Sequence, residues 1–498
     1  MAAQPAVHSV PDVVEATFRA TVADREDVLS LSALGKLLAD LGRCGEAEPI
    51  FEKILLGCNN SASPEGRPDD EARALAMGWY AAMVEKNGIE GAAKAEALYK
   101  GALRINEKDP FAMGNYAVFL HRVKRDHAAA AAAYKKAIEV HPSHSSILCK
   151  YGAFAKHVEC NHDKAKALFE AAIAANPSHA ESLGNLAVML HGSAHDDPAT
   201  LGRIENLYSR AVRSDPANAN TFSNFGLFLA ERRKDFAGAE ALYKKASAID
   251  PFHANALYNY AVLLDSGLEQ KERAEAMYRR CLSVNPEHNY ALYNLAVLKE
   301  ETAEGGDFSE VKRLFQRAIM VCPSDALTRA DYGRFLAQAE QDFDGAMENL
   351  REAMRHDPAC TTAQFNLAKL LLSRERKKQA VRTPNSAGSE EIREAKALLR
   401  RVLRAEKGHS GATLCLARLL AEEGDFQEAG KLCDSVLRDS KCSDAEAMTD
   451  LAASLGRKGM PRRMVQRADE LLRRAISLAP DEVTPPRPTT PIRPLLPS

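Results

Sequence analysis

Apolar residues in this chain recur at i, i+3, i+4 and i+7 in short bursts separated by Gly, Pro, Asn or Asp. In residues 252–286, Leu257, Tyr260, Ala261 and Leu264 place one apolar stripe on a helix; after a break at Gly267, Ala274, Tyr278, Cys281 and Leu282 place a second. Asn285-Pro286 ends the second helix, because proline pushes the residue before it out of the helical region. Two short helices cannot bury both stripes between themselves. The pattern therefore predicts a hairpin that is stable only when stacked on copies of itself.

Those copies are present. A small residue that lets the two helices approach recurs as Gly35, Ala81, Ala117, Gly152, Ala187, Gly226, Ala261, Ala296, Gly333, Ala368, Ala417 and Ala452, and the base spacing is 35 residues, as from Gly226 to Ala261 to Ala296. Longer gaps mark loop insertions at 59–71, 193–203 and 374–391. Second helices carry an aromatic residue or leucine, a small residue three on and a proline five further, as in Tyr134/Ala137/Pro142 and Tyr243/Ala246/Pro251. Residues 1–26 read as a poorly ordered lead-in with one short helix, and 27–480 as the repeat array. Residues 481–498 read as a disordered proline-rich tail, in which Pro485, Pro488, Pro491, Pro494 and Pro497 would share one edge of a polyproline II helix, the form that SH3-like readers take.

This helix–turn–helix unit resembles the tetratricopeptide repeat family, with departures in its 35-residue period and in Lys407 and Lys441 where the terminal proline would stand. The resemblance implies an all-α fold: a right-handed superhelix, or α-solenoid, of about twelve hairpins. It also implies a protein-binding scaffold with its ligand surface on the concave side.

On the first helix of each hairpin one column lies opposite the buried stripe: Asn115, Lys150, Asn185, Asn224, Asn259, Asn294, Asp331, Asn366, Cys415 and Asp450. An asparagine amide offers a donor and an acceptor, the pair that a peptide backbone presents, so the column reads as a ladder for an extended peptide. It is similar to the asparagine column of the repeat arm of O-linked N-acetylglucosamine transferases. Tyr258 and Tyr293, with Val188, Leu227, Val262 and Val297, are the expected pocket walls. Lys150, Lys156, His157 and His191 toward one end, against Asp265, Glu300, Glu301 and Asp331 toward the other, would orient a charged ligand. The lysine and asparagine placement of chaperone-tail clamps is missing: Gly114, Cys149, Gly184, Ser223, Tyr258 and Tyr293 precede the column.

Composition narrows the alternatives. A net charge of -2 gives no global basic field, so a nucleic-acid partner is disfavoured. The basic residues between Arg374 and Arg474 nevertheless keep open an RNA-associated assembly factor and nuclear residence, and self-association through the terminal repeats is a third reading. Ten cysteines scattered singly suit a reduced, cytoplasmic setting, and no segment reads as a membrane span. His157, Cys160 and His162 lack a fourth ligand and a standard zinc spacing. No phosphate loop, dinucleotide fingerprint or nucleophile elbow occurs, so neither a cofactor nor catalysis is expected.

Overall fold

A computed structural model of the chain describes residues 15–17, 19–21, 27–56, 68–86, 88–193, 197–303, 308–381, 390–438, 445–456 and 461–478. Every element among them is helical, and the chain is an all-α solenoid of tetratricopeptide-like hairpins. It divides into two compact units, 1–228 and 229–498.

In the first unit the hairpins are Val28–Asp40 with Cys44–Leu56, Pro68–Val84 with Gly88–Ile105, Pro110–Arg122 with His127–Val140, Ser145–His157 with His162–Ala175, and Ala180–Ser193 with Pro198–Ser214, followed by helix Ala219–Phe228. The second unit begins with the π-helical turn Leu229–Arg233 and helix Phe236–Ile249. Ala254–Val262 then runs through a second π-turn, Leu263–Gly267, and pairs with Lys271–Val284. The remaining pairs are Asn289–Thr302 with Ser309–Val321, Ala326–Gln338 with Phe343–His356, Thr361–Val381 with Glu390–Ala405, Ser410–Glu423 with Phe426–Arg438, and Ala445–Leu455 with Arg462–Leu478.

The expected insertions are partly helix. Within 59–71, residues 68–71 begin the helix Pro68–Val84. In the 193–203 stretch, Asp197 accepts from the Thr200 amide at 2.9 Å and starts the 17-residue helix Pro198–Ser214, so the insertion lengthens a helix rather than a loop. Residues 374–381 continue the helix from Thr361. The rest of these insertions, the proline-rich tail and most of the lead-in lie outside the described residues; within the lead-in, helical Glu15 pairs with Arg19 at 2.8 Å and with Arg43 at 2.7 Å.

The small residues and the aromatic residues have separate tasks. A Cβ on Gly152 would stand 2.7 Å from the Phe169 ring, and one on Gly333 would stand 2.8 Å from Leu350 and 3.0 Å from the Ala346 carbonyl, so each hairpin closes on its own second helix only because that position is small. The second-helix ring then stacks on the next hairpin: Tyr99 on Tyr116 at 5.8 Å, Tyr134 on Tyr151 at 5.1 Å, Tyr208 on Phe225 at 5.4 Å, Tyr243 on Tyr260 at 6.0 Å and Phe315 on Tyr332 at 5.7 Å between centroids.

Within the hairpins the turn is wide. Lys124 N bonds the Phe119 carbonyl at 3.2 Å and Asp126 N bonds the Leu120 carbonyl at 2.9 Å, and the same closures recur at 159/154, 161/155, 268/263 and 270/264. The residue before the second-helix cap is left-handed although it is not glycine: Arg125, Cys160, Lys234, Glu269 and Gln341 have φ between 52° and 58°. A side chain in that region costs about 1–2 kcal/mol, so Arg125→Gly, at an exposed turn position, is expected to raise stability by about 1 kcal/mol in urea unfolding.

Helix starts are capped by two kinds of residue. Acidic and amide caps include Asp27, Asp109, Asp126, Asn161, Asp235, Asp325 and Asp342. First helices also use histidine, whose Nδ1 accepts an amide three residues on: His144 from Ile147 at 3.4 Å, His179 from Ser182 at 3.3 Å, His253 from Ala256 at 3.3 Å, His288 from Ala291 at 3.1 Å and His409 from Ala412 at 3.1 Å.

Candidate functional site

In the first unit the column residues touch from one hairpin to the next. The Lys150 ammonium donates to the Asn115 carbonyl oxygen at 2.6 Å, and the Asn185 amide donates to Cys149 Sγ at 3.6 Å. Asn115, Lys150 and Asn185 are half-buried. Burial, offset only in part by Glu181, Cys149 and Glu85, holds the Lys150 ammonium below its usual range. That lysine lies 6.0 Å from the Phe111 ring centre and prefers an anionic or carbonyl partner. Lys156 is likewise half-buried and lowered by burial alone. His157 is exposed, whereas His191 is 8 % exposed and edge-on to Phe228 at 5.5 Å. Val188 is half-buried, and Leu227 and Asn224 are buried.

In the second unit the column is interior at Asn259, Asn294 and Asp331. Asn259 and Asn294 are 0 % and 1 % exposed, Tyr258 and Tyr293 are both 0 % exposed, and Val262 and Val297 are buried with them. Asn294 donates to the hydroxyls of Tyr258 at 3.1 Å and Tyr278 at 3.3 Å, and the Tyr258 ring lies 4.9 Å from His288. The two tyrosines therefore wall no open groove here. They fill the space beside the column; the Asn294 amide serves the Tyr258 hydroxyl and Asp331 accepts from that of Tyr293 at 2.7 Å, because a polar atom left unbonded in such a site costs about 1–3 kcal/mol.

The acidic end of the expected charge gradient is neutralised internally. Glu300 takes both Nη atoms of Arg334 at 2.8 and 2.7 Å, Glu301 takes Lys271 at 2.7 Å, and Asp331 accepts from the Tyr293 hydroxyl at 2.7 Å. Burial pushes the Asp331 carboxyl up to about 6, against the pull of Arg334, and lifts Asp265 to about 6 as well. Further along, Asn366 is half-buried, with an amide nitrogen that has no partner, Cys415 is half-buried, and Asp450 receives Arg418 at 3.2 Å.

Many of the later basic residues are structural. Lys396 pairs with Glu423, Arg400 with Glu428 at 2.8 Å, Arg467 with Asp434 at 2.6 Å, and Arg474 donates to the carbonyls of Val436 and Leu437 at 2.8 Å. His157, Cys160 and His162 are each exposed, and no three His, Cys, Asp or Glu side chains come together as a metal site among the described residues. No helix among them is long and apolar enough to cross a membrane.

Models described as tetratricopeptide repeat match residues 161–197, 254–288, 337–390 and 386–448. Among solved structures, c5321, described as a protective antigen of uropathogenic Escherichia coli strains with an SLR fold, is 18% identical with a TM-score of 0.53, over 93% of this chain and 94% of that one. Yeast Tom70 is 16% identical with a TM-score of 0.41, over 94% and 95% of the two chains. The human IFIT1 dimer with m7Gppp-AAAA is 16% identical with a TM-score of 0.45, over 86% and 94%. No curated protein matches the chain. At such identities the likeness speaks for the fold alone.

Proposed function

We propose that this tetratricopeptide-repeat protein is a non-enzymatic scaffold that holds an extended segment of a partner protein along the column through Asn115, Lys150 and Asn185. Repeat solenoids of this kind serve as protein-interaction surfaces, and the peptide-binding role is the finer reading. The observation that carries it is the Lys150–Asn115 contact at 2.6 Å, which joins column side chains of neighbouring hairpins into a half-buried polar strip. Such a strip can trade its own contacts for those of a peptide backbone without unfolding the hairpins beneath it.

The open positions rather than the buried ones carry the binding. Asn294 supports the hydroxyls of Tyr258 and Tyr278, Asn259 is fully buried, and the ligand strip in the first unit ends before them. The ion pairs of Lys396, Arg400 and Arg467 favour protein over RNA as the partner, because a guanidinium already held by a carboxylate has less to offer a phosphate. An SH3-like reader of the proline-rich tail remains a separate partner expectation, outside the described residues.

An array of peptides about twelve residues long, probed with the full chain, tests the reading. Bound peptides are expected to lose about 100-fold in affinity when Asn115, Lys150 and Asn185 are all changed to alanine, from roughly 1 kcal/mol for each of three contacts. Unchanged binding by a folded triple variant would reject it.

A further inference from the structure

Between the second helices His162–Ala175 and Pro198–Ser214 of the first unit lies a cavity of about 560 Å³. Ile173 and Leu207 line its apolar side, together with Leu186 from the first helix that runs between them. Glu170 and Arg203 also line it, paired at 2.7 Å, and both remain accessible, with side chains 40% and 51% exposed. Arg210 is already engaged, donating to the Pro177 carbonyl at 2.7 Å.

The chain itself shows what such a slot holds. Leu186 takes the register at which the preceding hairpins carry Tyr80, Tyr116 and Tyr151. The Tyr80 ring stacks on Phe51 at 5.3 Å, and its hydroxyl lies 2.8 Å from Glu48 and 3.1 Å from Glu52. Lys94 pairs with Glu52 at 3.2 Å and stands 4.7 Å from the centre of that ring. Glu170 follows Phe169 as Glu52 follows Phe51, and Arg203 precedes Tyr208 by the same interval as Lys94 precedes Tyr99; Lys166 takes the register of Glu48. Carboxylate and cation are therefore both in place around Leu186, flanked by the same large second-helix rings, and the ring between them is missing. The two registers also hold tyrosine hydroxyls in the second unit, where Gln316 donates to Tyr332 at 3.2 Å and Arg273 to Tyr260 at 2.8 Å. A leucine alone does not open the slot. At Leu295, Lys299 from the same helix reaches Glu275 at 3.4 Å and Glu310 at 3.9 Å, the second-helix carboxylates on either side.

We infer that this cavity takes a tyrosine side chain presented by a partner protein, with its ring over Leu186, its hydroxyl donating to Glu170 and the Arg203 guanidinium against its face. The partner supplies from outside the ring that the neighbouring joints supply from within. An aliphatic side chain has no hydroxyl for Glu170 and no face for Arg203, and a phosphorylated tyrosine would meet the Glu170 carboxylate with like charge. The site lies on the second helices, apart from the strip through Asn115, Lys150 and Asn185, and does not rest on it.

Acetyl-Gly-Tyr-Gly-amide and its Phe and Leu counterparts, titrated against the full chain by ligand-observed NMR, test the inference. The Tyr probe is expected to bind about tenfold more tightly than the Leu probe, and Glu170→Ala to remove its advantage over the Phe probe. In Leu186→Tyr the chain fills the slot with its own ring, so affinity for the Tyr probe should fall about tenfold or more while the melting temperature stays at or above the parent value. Arg203→Ala changes an exposed side chain and should weaken the Tyr and Phe probes alike by about threefold, which keeps the inference testable if Leu186→Tyr does not fold. Equal affinity for the Tyr and Leu probes would overturn it. So would Tyr-probe binding that survives a folded Leu186→Tyr chain or is unmoved by Arg203→Ala, or binding that disappears when Asn115, Lys150 and Asn185 are changed to alanine.

Discussion

Arg334→Ala is expected to destabilise the second unit by about 3–5 kcal/mol, the cost of stranding a buried carboxylate. Arg334 and Glu300 have side chains only 10% and 11% exposed, joined by a bidentate contact between adjacent hairpins. Removing the guanidinium leaves Glu300 without its partner and removes the cation closest to Asp331, at 3.7 Å. Replacing both Arg334 and Glu300 with leucine should recover most of the loss, because a well-packed apolar pair escapes the desolvation penalty of two charges. Denaturant unfolding of the parent, the two single variants and the double variant gives the coupling. A single-variant cost below about 1 kcal/mol would mean that solvent screens the pair as it does at a surface.

Acidification below about pH 6.5 should weaken the chain through its histidine caps. Burial holds His144, His179, His253 and His288 below their usual range; His141 and Lys150 reinforce it at His144, while Asp250 opposes it at His253. Each cap needs an unprotonated Nδ1 as acceptor. The folded state therefore binds fewer protons than the unfolded chain below the ordinary histidine range. The caps contribute in full above about 6.5, and their contribution is lost as pH falls through the depressed folded-state values. At about 1 kcal/mol per cap, four caps amount to about 4 kcal/mol across the chain. Asparagine caps equally well and does not titrate, so changing His144, His179, His253 and His288 to asparagine should flatten the decline between pH 7.5 and 5 in thermal melts. A decline of the same size in the quadruple variant would place the acid sensitivity elsewhere.

The architecture was legible because its cause is local. The stripe Leu257, Tyr260, Ala261 and Leu264 is buried throughout, and the small column sits where Gly152 and Gly333 meet Phe169 and Leu350. The polar column was legible as a column, but its exposure was not. Asparagines at the same register are half-buried at 115 and 185 and enclosed at 259 and 294, and the difference comes from large neighbours, Tyr258, Tyr293 and His288, brought in from adjacent repeats. One-helix reasoning assigns a face; it cannot say which side chains from the next hairpin will cover it. The ion pair of Glu300 with Arg334 was hidden for the same reason, since its two halves stand on different hairpins. The histidine caps could have been found: His144, His179, His253 and His288 precede first helices at the repeat register, each with the capped amide three residues on.

The ring stack between hairpins also sets how the array would bend. Where two aromatic rings meet, as at Tyr134 and Tyr151, the joint gains about 0.5–1.5 kcal/mol beyond the area it buries. At other joints a leucine stands at the register of the second ring, as Leu186 does for Phe169 and Leu295 for Tyr278. The solenoid is thus a row of unequal springs, and those leucine joints are the compliant ones, where a partner pulling along the array would open it first.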